Sequence, residues 1–264
     1  MRLLFSRRWF QLTVIVMAAL AILVNLGFWQ LERLAQRRYF NNRVLAQINR
    51  SPLELTAAAL QDAALAAELG KMEYRPVIVT GEYDFSNQVG LRNQAYHLNL
   101  GGHLLTPLRI AGAPAAVMID RGWIPQADLL TGRWERFSAS QGQVEVRGVI
   151  RLSQSKPDIG RMGDDIPAPG EPPLRFWRLA NVEAIAGQLP YPLLPIYIQQ
   201  SPDPLAPPPT VVEEASMTAP YPESPDVDLT EGNHQSYAMQ WFTFALILTI
   251  GYPIYVHRQE HSPY

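Results

Sequence analysis

The sequence predicts a membrane protein in which two transmembrane α-helices flank an α+β extramembrane domain, mainly antiparallel β, built as a sandwich or partly open barrel. Three observations predict it. An uncharged apolar run lies near each end of the 264-residue chain, each close to the ~20 residues that a helix needs to span ~30 Å of hydrocarbon. Between them, short β-branched and aromatic runs are separated by Gly, Asn and Pro, the texture of an antiparallel sheet. Finally, no Lys or Arg occurs between Arg178 and Arg258, so basic residues flank the second run on one side only.

Composition removes several function classes. A formal net charge of −2 gives no polyanion-binding signature, and nucleic acid is not an expected partner. The absence of cysteine excludes disulfides, thiolate metal sites, iron–sulfur clusters and haem attachment through Cys-x-x-Cys-His. His97, His103, His234, His257 and His261 are left as the soft ligands, apart from methionine.

Taken in order, residues 1–11 form a short tail and residues 12–31 the first span. Arg7 and Arg8 in "SRRWF" resemble the start of a signal peptide, and Ala19–Leu20–Ala21 has a cleavage pattern. That pattern lies in mid-run with further apolar residues after it, so an uncleaved anchor is expected. The segment "ERLAQRRYFNNRVLAQINR" continues the helix out of the membrane, and "SPLELTAAALQDAALAAELG" reads as a second helix ended by Gly70. Strands are expected in "YRPVIVTGEYDF", "QVGLRN", "GHLLTPLRI", "AAVMIDRGWI", "VEVRGVIRL" and "LRFWRLA". A short helix is expected in "NVEAIAGQL", and "LLPIYIQ" reads as a late strand whose proline favours a sheet edge. "SKPDIGRMGDDIPAPGEPPL" is a Pro/Gly loop, and residues 201–228 form a proline-rich acidic connector. The extramembrane domain spans 32–236, the second span 237–256, and a tail 257–264 closes the chain.

Charge sets the orientation. Glu213, Glu214, Glu223, Asp226, Asp228 and Glu231 fill the approach to the second span, while His257 and Arg258 lie just beyond it. Both termini are therefore expected in the cytoplasm and the central domain outside it. Only about ten residues precede the first span, too few for a mitochondrial transit peptide, so a bacterial inner membrane with a periplasmic domain is expected.

No catalytic constellation is expected, because G-x-S-x-G, H-E-x-x-H, G-x-x-x-x-G-K and G-x-G-x-x-G are all missing. His97 and His103 flank "LNLGG" with no carboxylate nearby in sequence, which reads as a solvated turn rather than a metal site. "DRGWIP" is more distinctive. Asp120 and Arg121, adjacent on a strand, point to opposite faces and need different partners, and Gly122 permits a tight backbone before Trp123. The three side chains make either a docking surface or a structural corner that Trp123 plugs.

The stretch "NHQSYAMQWF" opens the second span. Asn233 suits a helix N-cap, and His234, Tyr237, Ala238, Trp241 and Ala245 then share one face. Tyr and Trp suit an interfacial aromatic belt. A belt does not explain His234, which is either hydrated among headgroups or a ligand of haem iron. Trp29, Gln30 and Arg33 close the first span on the same side of the membrane.

These segments carry a resemblance. "LGFWQLERLAQR", "YRPVIVTGEYD", "VGLRNQ", "GGHLLTPL", "VMIDRGWIP" and "NHQSYAMQWF", in this order with an apolar helix at each end, resemble the Surfeit locus protein 1 family of cytochrome c oxidase assembly factors. The resemblance implies a non-enzymatic role in biogenesis of haem–copper oxidases, at delivery or insertion of haem a into the catalytic subunit. It implies that His234 contacts a transiently held haem a, with Trp29, Gln30, Arg33, Tyr237 and Trp241 as its surroundings. The implied partners are the oxidase catalytic subunit, haem a synthase and membrane lipid. The alternative is a periplasmic scaffold that stabilises an oxidase assembly intermediate without binding haem.

Overall fold

The structure, a computed structural model, describes residues 6–138, 142–157, 160, 163–168, 170–203 and 220–261. Most of the proline-rich connector, residues 204–219, and parts of the Pro/Gly loop lie outside the described residues. Two compact units are present, one built on the terminal helices and the other spanning Val44–Val227. The first helix, α1 (Phe10–Ile48), runs unbroken for 39 residues, so the extension expected beyond the apolar run is one helix with it.

The stretch expected to be one helix after Pro52 is instead three elements. Strand β1 (Leu53–Leu55) pairs in parallel with the next strand, followed by two short helices, α2 (Ala57–Leu60) and α3 (Ala63–Glu68). Side-chain caps cause the division. Thr56 accepts from the Ala59 N–H and Asp62 from the Ala64 N–H, so a new helix starts where an alanine-rich sequence would continue the old one.

The remaining strands are β2 (Pro76–Tyr83), β3 (Val89–Tyr96), β4 (Asn99–Ile110), β5 (Ala116–Pro125), β6 (Gln143–Leu152), β7 (Phe176–Trp177) and β8 (Leu193–Gln200). Helix α4 (Gln126–Thr131) follows β5, and α5 (Val182–Ala186) precedes β8. Five strands close a ring in the order β2-β6-β8-β5-β4, because β2 also pairs with β4 from Gly81↔Ile110 to Tyr83↔Leu108. The expectation of a sandwich or partly open barrel thus resolves to a closed barrel. All ring pairs are antiparallel except β5–β8. Counted along the chain, the ring has the connectivity of the OB fold, a five-stranded Greek-key barrel. The first half of β4 pairs with β3 rather than β2, so the β3–β4 hairpin continues past the closure of the ring.

The late strand corrects a second expectation. β8 lies between β6 and β5 rather than at an edge. Pro195 is tolerated there because it sits where the β5–β8 register shifts between Ala116 and Met118, and β6 pairs only from Ile196 onward. A proline at a bulge removes no ladder hydrogen bond. The barrel core is mainly apolar: Val77 and Val79, Leu108 and Ile110, Val117 and Ile119, and Ile196 and Ile198 alternate inward from four strands. A second cluster of Leu105, Met118, Trp177 and Ile185 packs α5 and β7 on the outer face of β4 and β5.

The last helix, α6 (His234–His261), pairs antiparallel with α1 within the helical unit. On α1 the residues turned inward are Thr13, Val16, Leu20, Leu23, Gly27, Gln30, Leu34, Arg37 and Asn41, and on α6 His234, Ala238, Trp241, Ala245, Leu248, Tyr252 and Val256. Spacings of three and four alternate, the seam of a left-handed helix pair. Small residues let the helices approach: a Cβ on Gly27 would lie 2.5 Å from the Phe242 ring. The outward faces are apolar and exposed, with Ile15, Ile22 and Ile247 each 60% exposed or more, the reverse of a buried core helix. Both helices are long and apolar enough to cross a membrane.

Candidate functional site

Within the apolar runs, side-chain hydrogen bonds join the two helices at two levels among the described residues. At one, the Thr13 and Tyr252 hydroxyls meet at 2.6 Å. At the other, His234 Nδ1 lies 2.8 Å from Gln30 Oε1. An amide oxygen only accepts, so Nδ1 carries the proton and donates. In a neutral imidazole this arrangement puts the lone pair on Nε2. A hydrogen-bonded Nδ1–H that orients the ring is also how metal-ligating histidines are held, so His234 is the residue here that could hold a haem iron. Of the residues expected around His234, the structure brings Gln30 into contact. Arg33 instead lies over the Trp29 ring at 5.7 Å and bonds Gln36. Tyr237 is 47% exposed, and Trp241 packs edge-on to Phe244.

The chain entering α6 is fixed to α1. Arg38 forms a two-pronged pair with Glu231, Arg37 binds Asp228 and the Thr230 carbonyl, and Asn41 donates to the Leu229 carbonyl. Composition alone did not reveal this role for the arginines past the first span.

In the barrel unit, Asp120, Arg121 and Trp123, which the sequence left as either a docking surface or a structural corner, are all buried. What docks there is the chain's own segment at 220–223. Trp123 and Tyr221 exchange both backbone hydrogen bonds, at 2.8 and 2.9 Å, just past the point where β8 stops pairing with β5 at Asp120. Gly122 makes this possible: its φ is +112°, and a Cβ would lie 1.9 Å from the Tyr221 carbonyl oxygen. The Trp123 ring packs against Tyr96 and Tyr221.

Asp120 and Arg121 face opposite sides, as their adjacency on a strand requires. Arg121 continues the inward face. It donates to Gln88 Oε1 and the Phe137 carbonyl and lies over the rings of Tyr83 and Phe85. Burial pushes the Tyr83 hydroxyl up to about 12, with Arg121 opposing.

Asp120 holds His103, which corrects the reading of that histidine as part of a solvated turn. His103 is buried, with Nδ1 2.8 Å from Asp120 Oδ2 and Nε2 3.1 Å from Glu223 Oε2. Carboxylates only accept, so both ring nitrogens donate and the ring is an imidazolium. Burial alone would lower the His103 pKa, but Asp120 and Glu223 outweigh it and push it up to about 10. The folded value therefore lies above the ~6.5 of an unfolded chain. Its stabilisation is complete below pH ~6.5 and is lost as pH rises to about 10. The melting temperature of the purified protein should fall steadily across that window, by up to ~1.4 kcal/mol of stability per pH unit. His103→Gln should flatten this slope, and an unchanged slope would refute the assignment.

A five-stranded barrel inserted in sequence between two paired apolar helices, with a histidine bonded to Gln30 where the second helix begins, defines a β-barrel domain flanked by two helices long and apolar enough to cross a membrane. Comparison with known proteins identifies the lineage: the profile of the SURF1 family matches residues 17–246, and the chain belongs to that family. It is 20% identical over 269 residues to a SURF1-like protein of Caenorhabditis briggsae, covering 95% of this chain and 76% of that one. It is 22% identical to the SURF1-like protein of Monosiga brevicollis, covering 89% of this chain and 83% of that one. The match to Surfeit locus protein 1 of Xenopus tropicalis, also at 22%, covers 61% of this chain and about half, 53%, of that protein.

Proposed function

We propose that the protein is an inner-membrane assembly factor for haem–copper cytochrome c oxidase that receives haem a and passes it to the catalytic subunit. Family membership and the ordered motifs support the pathway. One observation carries the haem reading: Gln30 fixes the His234 tautomer and leaves Nε2 free to donate to iron. In this reading Arg33 pairs with a haem propionate, and Trp29, Tyr237 and Trp241 supply an aromatic surround. The haem is cargo, and its iron supplies only the coordination bond by which it is held.

A second reading is a scaffold without haem. The same Gln30–His234 bond supports it, since polar pairs also join helices in membranes. The protein purified from cells that make haem a separates the two. A haem a absorption spectrum at stoichiometric yield supports cargo binding, whereas a colourless protein that still restores oxidase in a deletion strain supports the scaffold.

The reading places both termini in the cytoplasm and the barrel in the periplasm. Alkaline phosphatase fused after Gly142 should be active and a fusion after Tyr264 inactive. The opposite pattern would overturn the topology.

A further inference from the structure

We propose that the tip of the β3–β4 hairpin is a second membrane contact, inserting Leu98 and Leu100 into the lipid surface beside the anchor. The inference rests on the membrane-anchored reading above. Among the described residues of the barrel unit, these are the two most exposed large apolar side chains, at 102% and 72%. The tip is a two-residue loop, His97–Leu98, between Tyr96 and Asn99. His97 adopts φ +44°, a conformation that such loops usually give to Gly, Asn or Asp. A bulge at Asn93, with φ +61°, re-aims the outer half of the hairpin. Backbone strain and bulges of this kind collect where a segment is presented for use.

Area and charge favour lipid over protein as the occupant. A specific protein interface takes ~800 Å² from each partner, far more than two leucines on a tight turn supply. A bilayer needs no shape complementarity, and a tethered domain gains from a weak contact through high local concentration. No acidic residue occurs from Phe85 to Ile119, so no carboxylate is brought toward the headgroups with the tip.

The tether is short. At the hairpin's outer end Tyr96 stacks on Tyr221, with ring centroids 5.9 Å apart. Asp228 follows seven residues later, a reach of at most ~25 Å, and is held by Arg37 of α1 at 2.8 Å. Arg37 itself stands six residues past Leu31, ~9 Å along the helix from the end of the apolar run.

The chain has no cysteine, so single cysteines report individual positions. The full chain carrying Leu98→Cys, Glu145→Cys or Phe244→Cys, labelled with an environment-sensitive fluorophore, is reconstituted in phosphatidylcholine–phosphatidylglycerol nanodiscs containing a shallow doxyl lipid. Quenching at 98 and 244 but not at 145 is expected, and Leu100→Asp should reduce quenching at 98 to the level at 145. Quenching at 244 with none at 98 overturns the tip contact while leaving the anchor intact. No quenching at 244 overturns the anchor and the tip with it. Equal quenching at 98 and 145, or shielding of 98 only in native membranes, overturns the proposal in favour of a barrel lying on the membrane or of a protein partner.

Discussion

His234→Ala is expected to remove the haem a spectrum of the purified protein and to lower haem a content in the oxidase, with membrane level unchanged. The imidazole is half-buried on the helical seam, and alanine is a better helix former than histidine. Loss of the ring therefore deletes the proposed ligand without disturbing α6. Gln30→Ala provides the finer measurement. It leaves the ligand but frees the tautomer, and loss of such an orienting partner weakens metal binding by roughly 10–100-fold. Gln30→Glu keeps an acceptor 2.8 Å from Nδ1 and should retain the spectrum with a shifted potential. If His234→Ala keeps both wild-type spectrum and oxidase activity, the histidine only joins the two helices.

Trp123→Ala should cost about 3–5 kcal/mol, the usual range for removing a fully buried aromatic ring. The ring is 1% exposed and packs against both Tyr96 and Tyr221. Its loss empties the corner on which the returning chain closes, so two effects combine: a cavity, and a weakened grip on residues 220–223. Thermal melting measures the first. Protease cleavage near Tyr221, faster than in a barrel-core variant of equal melting temperature such as Ile119→Val combined with Ile198→Val, measures the second. A variant that melts normally yet fails to support oxidase assembly would mean that Trp123 contacts a partner after all.

Much of the barrel was legible because its strands alternate. "AVMIDRGWIP" shows its two faces in the sequence, and the opposite needs of Asp120 and Arg121 follow from strand period alone. Closure was not legible, because it depends on β2 switching partner at Gly81. Pro195 misled in a physically instructive way: a strand proline marks either an edge or a bulge, and only the register decides. Capping side chains likewise outweighed the helix propensity of the alanines after Pro52. His103 was misread because the second of its two carboxylates, Glu223, lies 120 residues away. For the helical pair, the alternating three and four spacing is present in the sequence. Its meeting of Gln30 with His234, 204 residues apart, is fixed by antiparallel pairing rather than by any local signal.

The seam of α1 and α6 makes the histidine's setting a matter of helical phase. Each added residue turns the following helix by ~100° and lifts it ~1.5 Å. A single-residue insertion in α1 between Thr13 and Gln30 would keep hydropathy and span length almost unaltered, yet swing Gln30 off the seam while Thr13 stayed opposite Tyr252. Three or four inserted residues would bring an inward face round again, but with a different side chain opposite His234. The two polar levels therefore behave like teeth on a ratchet. The setting of one imidazole thereby depends on the residue count of the whole intervening apolar run.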